Sequence, residues 1–144
     1  MAQKISDPNP AEIAWIDANV ATAREFVAAA GRQLAAHDSM GPDALDAAWS
    51  FWLSRFRAGE DPNSAINAFG LAFGQYLLDR LQLSWKVVQD EYGTEIALHG
   101  QPNDVLIFPP NLVAKRFQSR TTGFFVPLAA ELELQVRTLR GRSH

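Results

Sequence analysis

The stretch Ala68–Phe117, AFGLAFGQYLLDRLQLSWKVVQDEYGTEIALHGQPNDVLIFPPNLVAKRF, decides the fold. Its first part places Phe69, Phe73, Leu77 and Leu81 at helical spacing, with Ile66 one turn ahead. From Trp85 the period changes. Trp85, Val87 and Gln89 alternate with Lys86, Val88 and Asp90, as in a strand with at least one face buried. Gly93 supplies a left-handed position after Asp90-Glu91-Tyr92, and Glu95–His99 returns as a second strand. His99–Asp104 turns again into Val105–Phe108; Pro109-Pro110 stops that strand, and Pro110 opens a short helix to Phe117. Gly70 and Gly74 each cost the preceding helix about 1 kcal/mol relative to alanine. A close neighbour is therefore expected against them, another helix or the sheet rather than a ligand.

Working towards the N-terminus, Asp61-Pro62 opens that glycine-bearing helix. Before it, Gly41-Pro42 breaks the chain, and Asp43 is expected to cap a helix ending near Ala58-Gly59. Leu45, Ala48, Trp49, Trp52, Leu53 and Phe56 recur there on a wide apolar face, so both tryptophans read as core. Phe51 lies off that stripe and is the better candidate for a contact surface. Further back, Asn9 caps and Pro10 starts a first helix expected to reach about Ala36. Ile13, Ile16, Val20, Ala23, Val27, Ala30 and Leu34 follow one another at intervals of three and four, a seam for an intramolecular bundle. The same seam offers a homodimer interface through Ile13, Ile16, Val20, Val27 and Leu34 as the alternative. At the other end, Phe125–Arg140 reads as a helix burying Phe125, Leu128, Leu132, Val136 and Leu139.

These elements predict an α+β fold: three N-terminal helices, a small antiparallel sheet of two to three strands, a short helix and a C-terminal helix. At 144 residues, 47% hydrophobic and 20% charged, the chain suits a single globular domain over 1–144. Residues 1–8 are expected to be a flexible tail, and Arg142-Ser143-His144 is compatible with the start of an expression-tag scar. There is no cysteine, which removes disulfides, thiolate chemistry and cysteine-ligated metals. Neither a secretory apolar segment nor a run of about 18 apolar residues occurs, so a cytoplasmic location without membrane insertion is expected.

Charge is segregated. Residues 1–114 carry 7 Lys/Arg against 14 Asp/Glu, and residues 115–144 carry 6 against 2. Arg137 and Arg140 are expected to complement the dipole of the last helix. Lys115, Arg116 and Arg120 beside Phe117 form too small a basic cluster for nucleic acid, yet suit an acidic protein surface.

Around the first hairpin stand Asp90, Glu91, Tyr92, Glu95 and His99. Asp90 and Glu95 flank the turn, and two adjacent carboxylates can hold a cation or divide acid and base roles. Turn carboxylates are more often structural. A metal-nuclease pattern needs lysine two residues after the glutamate, where this chain has Ala97. His37, His99 and His144 lack a ligand partner one helical turn on. There is no serine-hydrolase elbow, phosphate loop or dinucleotide fingerprint. No cofactor and no metal is therefore expected.

Trp85-x4-Asp90-x2-Gly93-x-Glu95, followed by Phe108-Pro109 and Lys115-Arg116 and preceded by Phe69-Gly70-x3-Gly74, resembles a family of small bacterial domains of unknown function. The resemblance runs over roughly residues 60–135. It implies a compact α+β domain and brings no activity, cofactor or catalytic residue with it. It marks Trp85, Asp90, Gly93, Lys115 and Arg116 as positions of interest. The functional expectation is a non-enzymatic protein-binding or regulatory module using Asp90, Glu95, His99, Lys115 and Arg116 as its surface. The alternative is a small-molecule or metal-dependent enzyme centred on Asp90, Glu95 and His99.

Overall fold

The computed structural model describes residues 3–31 and 40–141. Among them the helices are α1 (Pro10–Ala29), α2 (Pro42–Arg55), α3 (Asn63–Leu81), α4 (Pro109–Gln118) and α5 (Phe125–Arg140). The strands β1 (Lys4–Ser6), β2 (Ser84–Asp90), β3 (Gly93–Gly100) and β4 (Val105–Ile107) form one antiparallel sheet in the order β1-β2-β3-β4. The class is α+β as expected, with four strands where two to three were predicted.

The extra strand comes from residues expected to be a flexible tail. Lys4, Ile5 and Ser6 pair with Gln89, Val88 and Val87 along the open edge of β2, and Asp7 forms an ion pair with Lys86. Three residues are too few to show a period of two, so the edge they pair with specifies this strand, not their own pattern.

The cap of α1 follows from sequence. Asn9 Oδ1 accepts the Glu12 N–H at 2.8 Å and Glu12 Oε1 accepts the Asn9 N–H at 2.8 Å, a reciprocal capping box. Ile16, Ala23 and Val27 of the seam are buried, and α1 packs against α3 and α2. Ile13 stays 47% exposed. The helix ends at Ala29, with Ala30 and Gly31 in a turn, short of the expected Ala36, and Leu34 lies outside the described residues.

In α2 the N-cap is Gly41, not Asp43, because Pro42 takes the first helical position and moves Asp43 into the first turn. The helix stops at Arg55, short of Ala58-Gly59, where Phe56 becomes extended and its ring meets Trp52 and Phe117. Trp49 is fully buried, with Trp52, Phe69, Phe117, Phe124 and Phe125 at centroid distances between 5.1 and 6.4 Å. Most of these rings meet edge to face, the arrangement their quadrupoles favour. The Trp49 indole N–H donates to the Thr121 carbonyl at 2.9 Å, so the buried polar atom is satisfied.

Two long-range caps fix α5. The Asp46 carboxylate on α2 accepts the backbone N–H groups of Phe125 at 2.7 Å and Val126 at 3.1 Å, a contact of the kind worth about 1 kcal/mol. At the far end Arg140 donates to the carbonyls of Leu81 and Gln82. Arg140 therefore serves the C-terminus of α3, beyond the helix it was expected to complement.

Both glycines of α3 sit against close neighbours. A Cβ on Gly70 would lie 2.6 Å from Pro110 Cα, and one on Gly74 would lie 2.3 Å from Trp85 Cη2 and 3.0 Å from Pro109 Cγ. Helix and sheet thus each claim one glycine. Because the obstacle at Gly70 is backbone, Gly70→Ala must displace the start of α4. We expect a net loss of about 1–3 kcal/mol in urea unfolding, against a gain of at most about 1 kcal/mol from helix propensity. Unchanged or raised stability would contradict the contact.

Candidate functional site

The hairpin β2–β3 carries the acidic residues picked from sequence. Asp90 pairs with Gly93, while Glu95 pairs with Val88 and His99 with Ser84. Alternation puts Asp90, Glu95 and His99 on one face of the sheet, but each side chain has separate company. Asp90 Oδ1 accepts the Tyr92 N–H at 2.8 Å and shapes the turn. Glu95 Oε1 accepts from Asn111 Nδ2 at 3.1 Å, reaching round the edge of β3 that β4 leaves open. His99 Nε2 lies 3.1 Å from Asp104 Oδ1. His99 lies four residue steps beyond Glu95, so about 13 Å of strand separates them. Among the described residues no three His, Cys, Asp or Glu side chains come together as a metal site.

Lys115 and Arg116, adjacent in sequence, diverge on α4. Arg116 donates to the Leu112 carbonyl at 3.3 Å, and its guanidinium sits 5.9 Å from the centre of the Phe124 ring. Lys115 faces a groove of about 580 Å³ bounded by β4, α4 and α5. The walls of that groove include Leu106, Ile107, Leu112, Leu132, Val136 and Leu139, and Gln118 and Gln135 also line it. Lys115 is its sole titratable lining residue, and it makes no ion pair among the described residues.

Sequence reasoning missed this groove although it identified Lys115. Leu132 and Leu139 read as core because they share a stripe with the buried Phe125, Leu128 and Val136. In the structure they are only partly buried. A helical stripe does not distinguish a side chain covered by another element from one at the margin of a groove. Phe51, singled out as a contact residue, is half-buried and carries the Arg55 guanidinium 3.7 Å from its ring centre.

One electrostatic feature accompanies the second turn. The Asp104 carboxyl is held below its ordinary range, first by the hydrogen bond from His99 and then by that from Gln101. A depressed folded-state value stabilises the fold above the unfolded carboxyl range, near pH 4, and the contribution disappears as pH falls through the folded value. The stability difference between the parent and Asp104→Asn should shrink as pH falls below about 4. A difference that persists unchanged to pH 3 would contradict this assignment, as read by urea unfolding at each pH.

No helix among the described residues is long and apolar enough to cross a membrane. Comparison with curated proteins and with solved structures returned no match. A family match does cover residues 52–124, from within α2 to the residue before α5. It includes Gly70, Gly74, Trp85, Asp90, Glu95, His99, Pro109, Pro110, Lys115 and Arg116, but only the β4 and α4 sides of the groove. By that match the chain belongs to the family described as a domain of unknown function, DUF3806.

Proposed function

We propose that this protein is a non-enzymatic binding module whose groove between β4, α4 and α5 receives an amphipathic segment of a partner protein. The observation that carries the reading is the composition of the groove: apolar walls, polar rim residues and one unpaired ammonium group, Lys115. The volume of about 580 Å³ falls within the usual range for binding clefts. Each leucine-sized side chain buried there contributes about 1.5–3 kcal/mol. Lys115 would orient an acidic residue of the segment and speed its capture more than it would tighten the complex.

No second titratable side chain lines the groove to divide acid and base roles with Lys115. The hairpin residues Asp90, Glu95 and His99 give weak support to the enzymatic alternative, because each is engaged with a different neighbour. A dimer through the α1 seam would have to expose Ile16 and Val27, which are 2% and 0% accessible in the single chain.

Site-specific photo-crosslinking tests the reading. A benzophenone side chain at Gln118 or Gln135 should attach a discrete partner protein in the cells that make this chain, whereas one at Tyr92 should not. Lys115→Glu should reduce the adduct at least severalfold in a normally folded protein. Equal crosslinking from Tyr92, or adducts indifferent to Lys115→Glu, would contradict the groove as the binding surface.

A further inference from the structure

A second concave region adjoins the groove at Phe108 and Asn111, which line both. Two adjoining clefts of about 250 and 270 Å³ share Trp15, Thr94, Glu95 and Ile96 in their linings. The first adds Asn67, Phe108, Pro110 and Asn111, and the second adds Asn9, Ala11 and Glu12. Shared lining makes them one trough along the edge of β3 that β4 does not cover.

Its chemistry is one-sided. No lysine, arginine or histidine lines either cleft, whereas Glu95 and Glu12 both do. The Glu95 carboxylate is oriented by Asn111 through one oxygen and has no cationic partner among the described residues. Glu12 is held by the capping box. The Asn67 side chain makes no hydrogen bond among the described residues. Trp15 leaves 43% of its surface exposed, on the same helix that buries Ile16 and Val27. An indole face beside a fixed carboxylate suits an organic cation, which gains both cation–π attraction and a charged hydrogen bond. A divalent metal ion is less well served, since calcium takes six to eight oxygen ligands and the described residues gather no group of three carboxylate or histidine side chains.

We propose that the trough formed by Trp15, Glu95, Asn67 and Asn111 is a binding site for a primary alkylammonium group. The group would lie against the Trp15 indole and donate to Glu95, while the Asn67 and Asn111 amides border it. Such a group can belong to a free amine or to a lysine side chain of another protein. The site shares Asn111 and Phe108 with the lining of the groove but does not depend on that reading.

The test is a titration of the isotopically labelled full chain, followed by NMR at the Trp15 indole N–H and the Asn111 side-chain amide. The probes are putrescine and N-acetyl-lysine methylamide, with sodium chloride at matched ionic strength as the control. Saturable shifts at both positions beyond the salt control are expected with at least one probe. Tighter binding of putrescine assigns the site to free amines, and tighter binding of the lysine derivative assigns it to protein side chains. Glu95→Gln should weaken binding about tenfold and Trp15→Leu about fivefold, with the remaining spectrum preserved. Two variants on different elements keep the test valid should one of them fold poorly. Absence of saturable shifts with both probes, or shifts of the Asn111 amide that are equal in the parent and in both folded variants, would overturn the site.

Discussion

The close approach of α3 to Pro109 and Pro110 at the start of α4, and to Trp85, is the constraint on which the remaining structure depends. Gly70 and Gly74 remove two side chains from one face of a helix, and the vacated surface admits the backbone of α4 at one position and an indole ring at the other. The helix gives up intrinsic propensity at both glycines. In return, α3 lies directly against the backbone at the start of α4 and receives the Trp85 ring from the sheet. Trp85 is fixed further where its indole N–H donates to Gln75 Oε1 at 3.2 Å. The start of α4 held in this way also borders both concave regions, because Phe108 and Asn111 line both the groove and the trough.

Around that contact, side chains distant in sequence close the α-helical layer. Trp49 binds its ring neighbours through packing and Thr121 through its N–H. Asp46 caps α5 from α2, and Arg140 returns from α5 to the last carbonyls of α3. These bonds determine where α5 lies, and therefore the position of Leu132, Val136 and Leu139 as one wall of the groove. A further link, the Arg80–Glu133 ion pair, joins the outer surfaces of α3 and α5. It is exposed on the arginine side, where such pairs contribute little to stability.

Much of this architecture was legible in the sequence wherever the local signal was strong. The Asn9-Pro10 cap, the change of period at Trp85 and the Asp61-Pro62 opening of α3 rest on chemistry confined to a few adjacent residues. The paired glycines even indicated a close contact, though not which surface made it. The unread parts depend on tertiary partners. Lys4–Ser6 becomes a strand because β2 has an edge to offer. Asp43 yields its expected capping place because Pro42 fixes the first helical position. Of the candidate surface, Lys115 and Arg116 read as one pair, but neighbouring sequence numbers concealed divergent directions. Lys115 enters a groove while Arg116 turns to Phe124. Trp15 escaped attention because it lies beside the seam of α1, where an aromatic residue off the stripe has no local signature.

The most direct test of the central constraint is a double-mutant cycle combining Gly74→Ala with Trp85→Leu, measured by urea unfolding. If the missing Cβ of Gly74 makes room for the indole, alanine should cost about 1–3 kcal/mol in the parent and much less once leucine replaces Trp85. The resulting coupling should exceed about 1 kcal/mol, beyond the additivity expected of independent sites. Additive losses would show that Gly74 and Trp85 do not depend on one another, and would contradict the account of how α3 holds the sheet.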